Sequence, residues 1–392
     1  MAATADVGAE FVIGDAVSRE VYCVLGVPVD VYGMSTVLRY IETAAAHKVP
    51  FFISAPNLNS LINMRLDPDF RESFLQSDLC PVDGMPIVWI ARLFGVPIKE
   101  RIAGSDIVDA LKIEHDRAKP LKVFLFGGPE SVAAAACRAL NAKPCGLCCV
   151  GSHYPGFGSI DDMSQDDIIE KINSSGADFL AVSLGAKKGQ LWLRRNHHRL
   201  LIPVRFHLGA VVNFQAGTIK RAPPAMRKLG LEWLWRIGQE PYLWRRYWND
   251  GWVLVRILFT RLLPLLVLTR WQLKDGSSEE CLVLKEISDD ESIVRLIGLA
   301  TARNVEKIIP VFRDAIARKK RVVIDFSKTR TIDVRFIGLL LMLRKELKGT
   351  GESLKLVGIS RRLERIFRLN GTGFLLPAGK KADAVEPQAP TF

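Results

Sequence analysis

The stretch QSDLCPVDGMPIVWIARLFG, from Gln76 to Gly95, sets one carboxylate, Asp83, before a glycine and between two apolar runs. A turn accounts for Gly84, because a left-handed position costs glycine nothing, but it leaves the carboxylate without a task. A lone Asp between a short strand and a helix is either a helix cap or a general base that takes a proton from a hydroxyl. Other side chains with chemical potential have plainer readings. DPDF, Asp67 to Phe70, imitates a metal-holding Asp-x-Asp pair. Yet Asp67 as N-cap, Pro68 at the first helical position, and Asp69 and Glu72 near the positive helix end are ordinary helix-start chemistry, so no metal is expected. FGGPES, with Gly127 and Gly128, offers either backbone N–H groups to a phosphate or a tight turn. His197 and His198 are adjacent on a helix and do not share a face, which argues against joint metal binding and suits a surface or boundary position.

Seven cysteines, four of them crowded at Cys137, Cys145, Cys148 and Cys149, do not form a disulfide framework by number or spacing. CGLCC lacks the second pair or His partner that zinc requires, so a buried cluster of reduced thiols is expected. The first twenty residues have neither a basic start nor an apolar core, so neither a signal peptide nor a first membrane span is read there, and a cytoplasmic location follows as an expectation. Sixteen Lys or Arg lie between Lys187 and Arg270 against Glu232, Glu240 and Asp250, an excess of thirteen that covers the chain's net charge of +12. Such a field attracts phosphates, whether of a nucleotide diphosphate, a nucleic acid or an anionic membrane.

These residues need elements to hold them. KVPFFISA, LKVFLFGG, ADFLAVSLG and VRFHLGAVVNF read as strands, and LINMRLDPDFRESFLQ, PESVAAAACRALNA and KGQLWLRRNHHRL as helices. Short, nearly continuous apolar strands joined by helices indicate a Rossmann-like parallel sheet covered on both faces, with ligands outside the carboxyl ends of the strands. Gly127, Gly128, Gly185, Gly209 and the Asp83 loop stand at such ends. Past Pro223 the chain mixes Trp233, Trp235, Trp244, Trp248 and Trp252 with Arg236, Arg245 and Arg246. Arg256, Arg261 and Pro264 interrupt any clean apolar span, so residues 251–273 read as an amphipathic segment in an anionic membrane interface, with a buried helix as the alternative. Residues 274–280 read as a linker and 281–378 as a small α/β domain with strands SIVRLIG, RVVIDFS and LKLVGIS. Residues 1–20 and 379–392 are expected to be flexible ends.

APNLN, SDLCPVDG, ERIAGSD, VFLFGGPES, SGADFLAVSLGAKKGQLW and NFQAGTIKRAPPAMRKLGLEWLWRIGQEPYLWRRY occur in the order of the TagA/WecG/CpsF family, glycosyltransferase family 26, which the chain resembles from about Val21 to Trp248. The resemblance implies an inverting, metal-independent enzyme without a cofactor. It would move a sugar, of ManNAc type or glucuronic acid, from a UDP-sugar to a saccharide on undecaprenyl diphosphate in surface polysaccharide or exopolysaccharide synthesis. It implies Asp83 as the base, ahead of a cap. Asn57, Arg101, Gly104, Asp106, Lys220 and Arg221 match family motif positions and are expected to bind substrate, as are Gly127, Gly128 and Gly185 from their place at strand ends, and Arg245 and Arg246 match the family's basic appendage near the membrane. Three departures stand out: Gly189 replaces a family amide that Gln190 would have to supply, Ala55 replaces a Thr, and Asn213 replaces an Asp.

The stretch from about Glu286 to Leu376 resembles the STAS fold of sulfate transporters and anti-sigma factor antagonists, which implies docking on a protein partner or self-association. Where such domains read Asp-Ser-Ser-Gly, this chain has Asp333-Val334-Arg335-Phe336, so the phosphorylated serine is absent. The basic segment lies inside the transferase resemblance and contains no RNA module, so no nucleic-acid partner is expected. The alternative is an inactive transferase-like scaffold acting through the second domain.

Overall fold

In the computed structural model, residues 15–113, 119–142, 146–273, 281–287 and 291–377 are described. The linker 274–280, the tail 379–392, Cys145 and the first fourteen residues of the N-terminal segment lie outside them.

A hairpin opens the fold, β1 Val21–Val24 against β2 Val27–Asp30, and every residue in it is buried. The main sheet has five parallel strands in the order β3-β7-β6-β4-β5. They are β3 Phe51–Ile53, β4 Leu121–Gly127, β5 Leu147–His153, β6 Phe179–Ser183 and β7 Val204–His207. Separate apolar clusters cover its faces: Ile53, Val123, Leu125 and Phe206 belong to one, and Phe52, Phe124, Phe126, Leu180 and Trp192 to the other. Parallel strands put all their carboxyl ends on one edge, which is where the candidate loops meet.

The C-terminal sheet runs β11-β10-β9-β8, with β8 Leu282–Ile287 antiparallel to β9 Glu291–Ala300, and β10 Arg321–Ile332 parallel to both β9 and β11 Leu354–Val357. Its long helix, Val334–Gly349, is capped by Asp333, whose carboxylate accepts from Phe336 N at 2.8 Å. That helix is apolar around most of its circumference because it packs against its own sheet on one side and the transferase-like half on the other. Val21, Val29, Phe74, Ile87, Phe336, Leu340 and Phe367 share one continuous core. At Gly338 an added Cβ would fall 2.1 Å from the Val21 carbonyl oxygen, so only glycine lets β1 lie on the helix.

Several expectations change. VRFHLGAVVNF is a strand only to His207, since Val211–Gln215 forms a helix. The helix read across LINMRLDPDFRESFLQ breaks into Leu58–Leu66 and Pro68–Leu75. Asp67 ends the first helix and caps the second, its Oδ1 accepting from Asp69 and Phe70 N–H. The cysteine stretch contains β5, and Cys137 and Cys149 are joined as a disulfide, so the reduced-thiol expectation fails for that pair, while Cys23, Cys80, Cys148 and Cys281 are free. Residues 15–20 are not a flexible end. Arg19 is 1% exposed and ion-paired with Asp30 at 2.6 Å, and Ala16 N donates to Glu346 Oε1 at 2.8 Å.

Nor do Arg256, Arg261 and Pro264 break the basic, aromatic segment. Helix runs through Trp244–Ile257, a π turn Leu258–Leu262 and Leu263–Leu273, the wider turn giving room for a proline that has no N–H. The stretch Pro241–Thr269 is long and apolar enough, by length and composition, to cross a membrane. Ile257, Leu262 and Leu265 are nevertheless buried against the protein, and Arg261 Nη1 donates to Arg368 O at 2.8 Å. The exposed apolar residues Trp244, Trp248, Trp252, Val255, Phe259, Leu263 and Val267 recur every three or four positions and so form one outward stripe.

Candidate functional site

Asp83 caps nothing. The helix Met85–Leu93 has Gly84 at its N-cap position with no side-chain cap bond. Gly84 is in extended backbone, and its small size is needed because an added Cβ would lie 3.2 Å from Asn57 Cα. The Asp-Gly pair thus marks close packing of the Asp83 loop on the end of β3, not a left-handed turn. Asn57 caps Leu58–Leu66, accepting from Ser60 N at 3.1 Å, and Asp83 N donates to Pro56 O at 3.1 Å.

Around Asp83 the chain assembles alternating charges. Arg101 Nη1 is 4.0 Å from Asp83 Oδ1 and 2.8 Å from Glu232 Oε2, while Nη2 is 3.4 Å from Asp106 Oδ2. Asp106, in the first turn of the helix Gly104–Ile113, also pairs with Arg221 and, at 3.2 Å, with Arg227, and Arg221 pairs with Asp109 as well. Three guanidinium groups therefore face four carboxylates, so the site itself carries no basic excess. Protonating Asp83 would make the cluster neutral. Burial pushes the Asp83 carboxyl up to about 7, Glu232 and Asp106 add to the rise, and Arg101 and Arg221 oppose it. The Nε groups of Arg221 and Arg227 are buried donors with no acceptor among the described residues, ready for an anionic oxygen.

Glycines at the sheet's carboxyl edge complete the surroundings. Gly127 and Gly128 both have positive φ, and a Cβ on Gly127 would meet Ser183 O at 2.7 Å. Gly185 opens the helix Ala186–Asn196 with free space around it. Gly104 is a packing glycine, since its Cβ would lie 2.8 Å from Leu208 Cδ2.

The structure brings Asn57, Asp83, Arg101, Asp106 and Arg221 together and leaves other candidates elsewhere. Gln190 does not supply the amide missing at Gly189: it is 2% exposed and donates to Ser54 Oγ in the interior. A side chain at Gly189 would require the His207 ring to shift, because a Cβ would lie 2.2 Å from His207 Cδ2. Lys220 contributes its carbonyl to Trp235 Nε1 at 2.9 Å, with its side chain exposed. Arg245 and Arg246 are exposed, their guanidinium carbons 5.7 and 4.9 Å from the rings of Trp244 and Tyr247. His197 sits at a boundary, where burial and Arg205 push it down to about 4. Glu232, Asp109 and Arg227 were not singled out from sequence. Asp109 lies one turn beyond Asp106 and Glu232 is a rare acid in a basic stretch, and both signals were legible.

Residues 22–266 match the glycosyl transferase WecG/TagA/CpsF family, and residues 283–377 match a STAS domain of the Mlab type. The family match runs past Trp248 into the apolar helix. An N-acetylglucosaminyldiphosphoundecaprenol N-acetyl-beta-D-mannosaminyltransferase of Bacillus spizizenii is 28% identical over 180 residues, 46% of this chain and 68% of its own length. One of the same name from Staphylococcus aureus is 27% identical over 223 residues, 53% of this chain and 83% of that one. Among solved structures, the anti-sigma factor antagonist SpoIIAA is 21% identical with a TM-score of 0.21, covering 22% of this chain and 82% of that chain. A STAS domain from Rhodobacter sphaeroides is 28% identical with a TM-score of 0.19, covering 22% and 99%. The chain belongs to the WecG/TagA/CpsF family of glycosyltransferases and carries a STAS domain behind its transferase half.

Proposed function

We propose that the protein transfers an N-acetylmannosamine-type sugar from a UDP-sugar to an undecaprenyl-diphosphate-linked saccharide, with inversion and without a metal, in cell-surface polysaccharide synthesis on the inner face of the plasma membrane. The observation that carries this reading is a carboxyl raised to about 7 beside a cluster of arginines. A base with that affinity for protons is half ionised near neutrality and can accept one from an alcohol. The acceptor hydroxyl gives its proton to Asp83 as its oxygen bonds to the anomeric carbon from the face opposite the leaving group. The bond from that carbon to the phosphate oxygen breaks, and its electron pair leaves with UDP. Arg101, Arg221 and Arg227 stabilise the diphosphate, the role a metal has in other sugar transferases.

The relatives' names support the acceptor class and the ManNAc-type donor. The outward stripe from Trp244 to Val267, with Arg245 and Arg246 at its start, suits an anionic bilayer from which a polyprenyl substrate is drawn. The helix carrying it is tied to the site side of the domain, Asn59 Nδ2 donating to Asp250 Oδ2 at 3.3 Å.

UDP release by the purified full chain tests this, with UDP-ManNAc and UDP-glucuronic acid as donors and a polyprenyl-diphosphate saccharide as acceptor. Acceptor-dependent release that survives EDTA and vanishes in Asp83→Asn is expected. Near wild-type turnover in that variant would remove Asp83 as the base. Silence with all donors, together with no UDP binding, would favour a scaffold without catalysis.

A further inference from the structure

The segment that delivers Asp83 is held at its root by the STAS domain. Two cations converge on the Ser77 carbonyl: Arg19 Nη1 at 2.7 Å and Lys345 Nζ at 3.1 Å, the latter from the long helix Val334–Gly349. Lys345 also binds Asp78 Oδ1 at 2.5 Å, and the other oxygen of that carboxylate accepts from Phe52 N at 2.8 Å. Asp78 N in turn donates to Phe52 O at 2.7 Å, so the segment runs along the edge strand β3.

Two residues on, Cys80 N donates to Asp30 Oδ2, and Asp30 N to Cys80 O at 3.0 Å. Asp30 is the buried partner of Arg19, whose Nη1 also touches Met342 Sδ at 3.3 Å on the same long helix. Ser77 Oγ meets Ser54 Oγ at 2.5 Å, and Ser54 receives Gln190. One buried polar chain thus links the helix after β6, the end of β3 and the root of the Asp83 loop to the STAS helix. Arg344 and Lys348 pair with Glu72 at 3.0 and 2.8 Å on the helix that leads into the loop.

We propose that Lys345 is a positioning residue for glycosyl transfer: by clamping Ser77 and Asp78 it fixes the segment that carries Asp83, so the STAS domain is a built-in part of the active site. The inference rests on the reading of Asp83 as the base. Lys345 belongs to the second domain, yet the acceptors it meets, Ser77 O and Asp78 Oδ1, belong to the transferase half. Loosening the root of a loop five residues from the base displaces the carboxylate, and small displacements at a reacting centre carry large penalties in rate.

The test compares full-length Lys345→Met, Lys345→Arg, Asp78→Asn and Asp83→Asn in two readouts. The first is amide hydrogen exchange at Leu79, Cys80 and Asp83, and the second is kcat and KM for the UDP-sugar. In Lys345→Met, exchange at these amides should rise roughly ten-fold and kcat fall roughly ten-fold, with KM within two-fold. Lys345→Arg should restore both, and Asp78→Asn should reproduce the loss. Unchanged exchange at Cys80 and Asp83 in Lys345→Met would overturn the proposal, as would faster exchange with wild-type kcat. If Lys345→Met fails to fold, Asp78→Asn decides by the same criteria. Failure of the base assignment looks different: Asp83→Asn would then keep its turnover while the exchange pattern of Lys345→Met stood unaffected.

Discussion

Asp83 Oδ1 lies 4.0 Å from Arg101 Nη1, close enough to feel the charge and too far for a hydrogen bond, because Glu232 holds the same nitrogen at 2.8 Å. Glu232 therefore keeps the cation from quenching the base, and the acidity of Asp83 depends on a residue from the far end of the domain.

The pH–rate profile follows. Asp83 must be ionised to accept a proton, and burial with its two acidic neighbours raises it to about 7, so kcat/KM should climb as pH rises through that value. Glu232→Gln removes a negative neighbour and frees Arg101 to approach. Both changes favour the carboxylate and should move the acid limb to lower pH by on the order of one unit. Initial rates between pH 5 and 9 check both expectations, and an acid limb that stays in place in Glu232→Gln would contradict the assigned role.

Stability should trade against activity at the same atom. The folded state holds the Asp83 proton more tightly than the unfolded chain, whose carboxyl titrates near 3.8. Its contribution is fully present below about pH 4 and is lost as pH rises through about 7. At pH 8 Asp83→Asn should be more stable than the wild type by about 2 kcal/mol, allowing for solvent screening at a side chain 29% exposed, and at pH 4 the two should agree. Urea unfolding at the two pH values measures the difference.

Membrane binding should depend on the outward stripe. Replacing Trp248, Trp252 and Phe259, which are 72, 70 and 66% exposed, by serine removes large apolar groups that face mainly outward. Affinity for anionic vesicles should fall more than ten-fold with thermal stability nearly unchanged. Salt should weaken the wild-type interaction through Arg245 and Arg246. Co-sedimentation at low and high salt reads both effects.

Gly338→Ala would press a methyl group on the Val21 carbonyl at 2.1 Å, where both neighbours are backbone and cannot step aside. Melting temperature should drop by several degrees, equivalent to more than about 2 kcal/mol, and exchange should quicken at β1 and in the helix together. A variant as stable as the wild type would show that the hairpin does not bear on that helix.

The parallel sheet and the second α/β domain were legible because apolar strand runs are local signals, whereas the isolated carboxylate of Asp83 left cap and base open until the family resemblance was considered. What escaped the sequence depended on distant partners. The hairpin of β1 and β2 covers a helix more than three hundred positions away, and its short apolar strands look like loop until that surface is known. Arg256, Arg261 and Pro264 looked like interruptions, since nothing local tells that Arg261 bonds a carbonyl on another helix or that a π turn accommodates the proline. Gly104 matched a substrate position by motif and Gln190 stood next to one, yet in space Gly104 makes room for Leu208 and Gln190 is a buried polar link.

The pairing of the hairpin with the STAS helix also sets an order of events during synthesis. Val21 leaves the ribosome before its cover at Gly338, which follows only after 317 further residues, on the order of tens of seconds later. Until then the root of the Asp83 loop lacks its clamp, so a truncated chain would contain every transferase motif but lack the support under its base. Under the proposed clamp, competence for transfer would report that the STAS domain has been made.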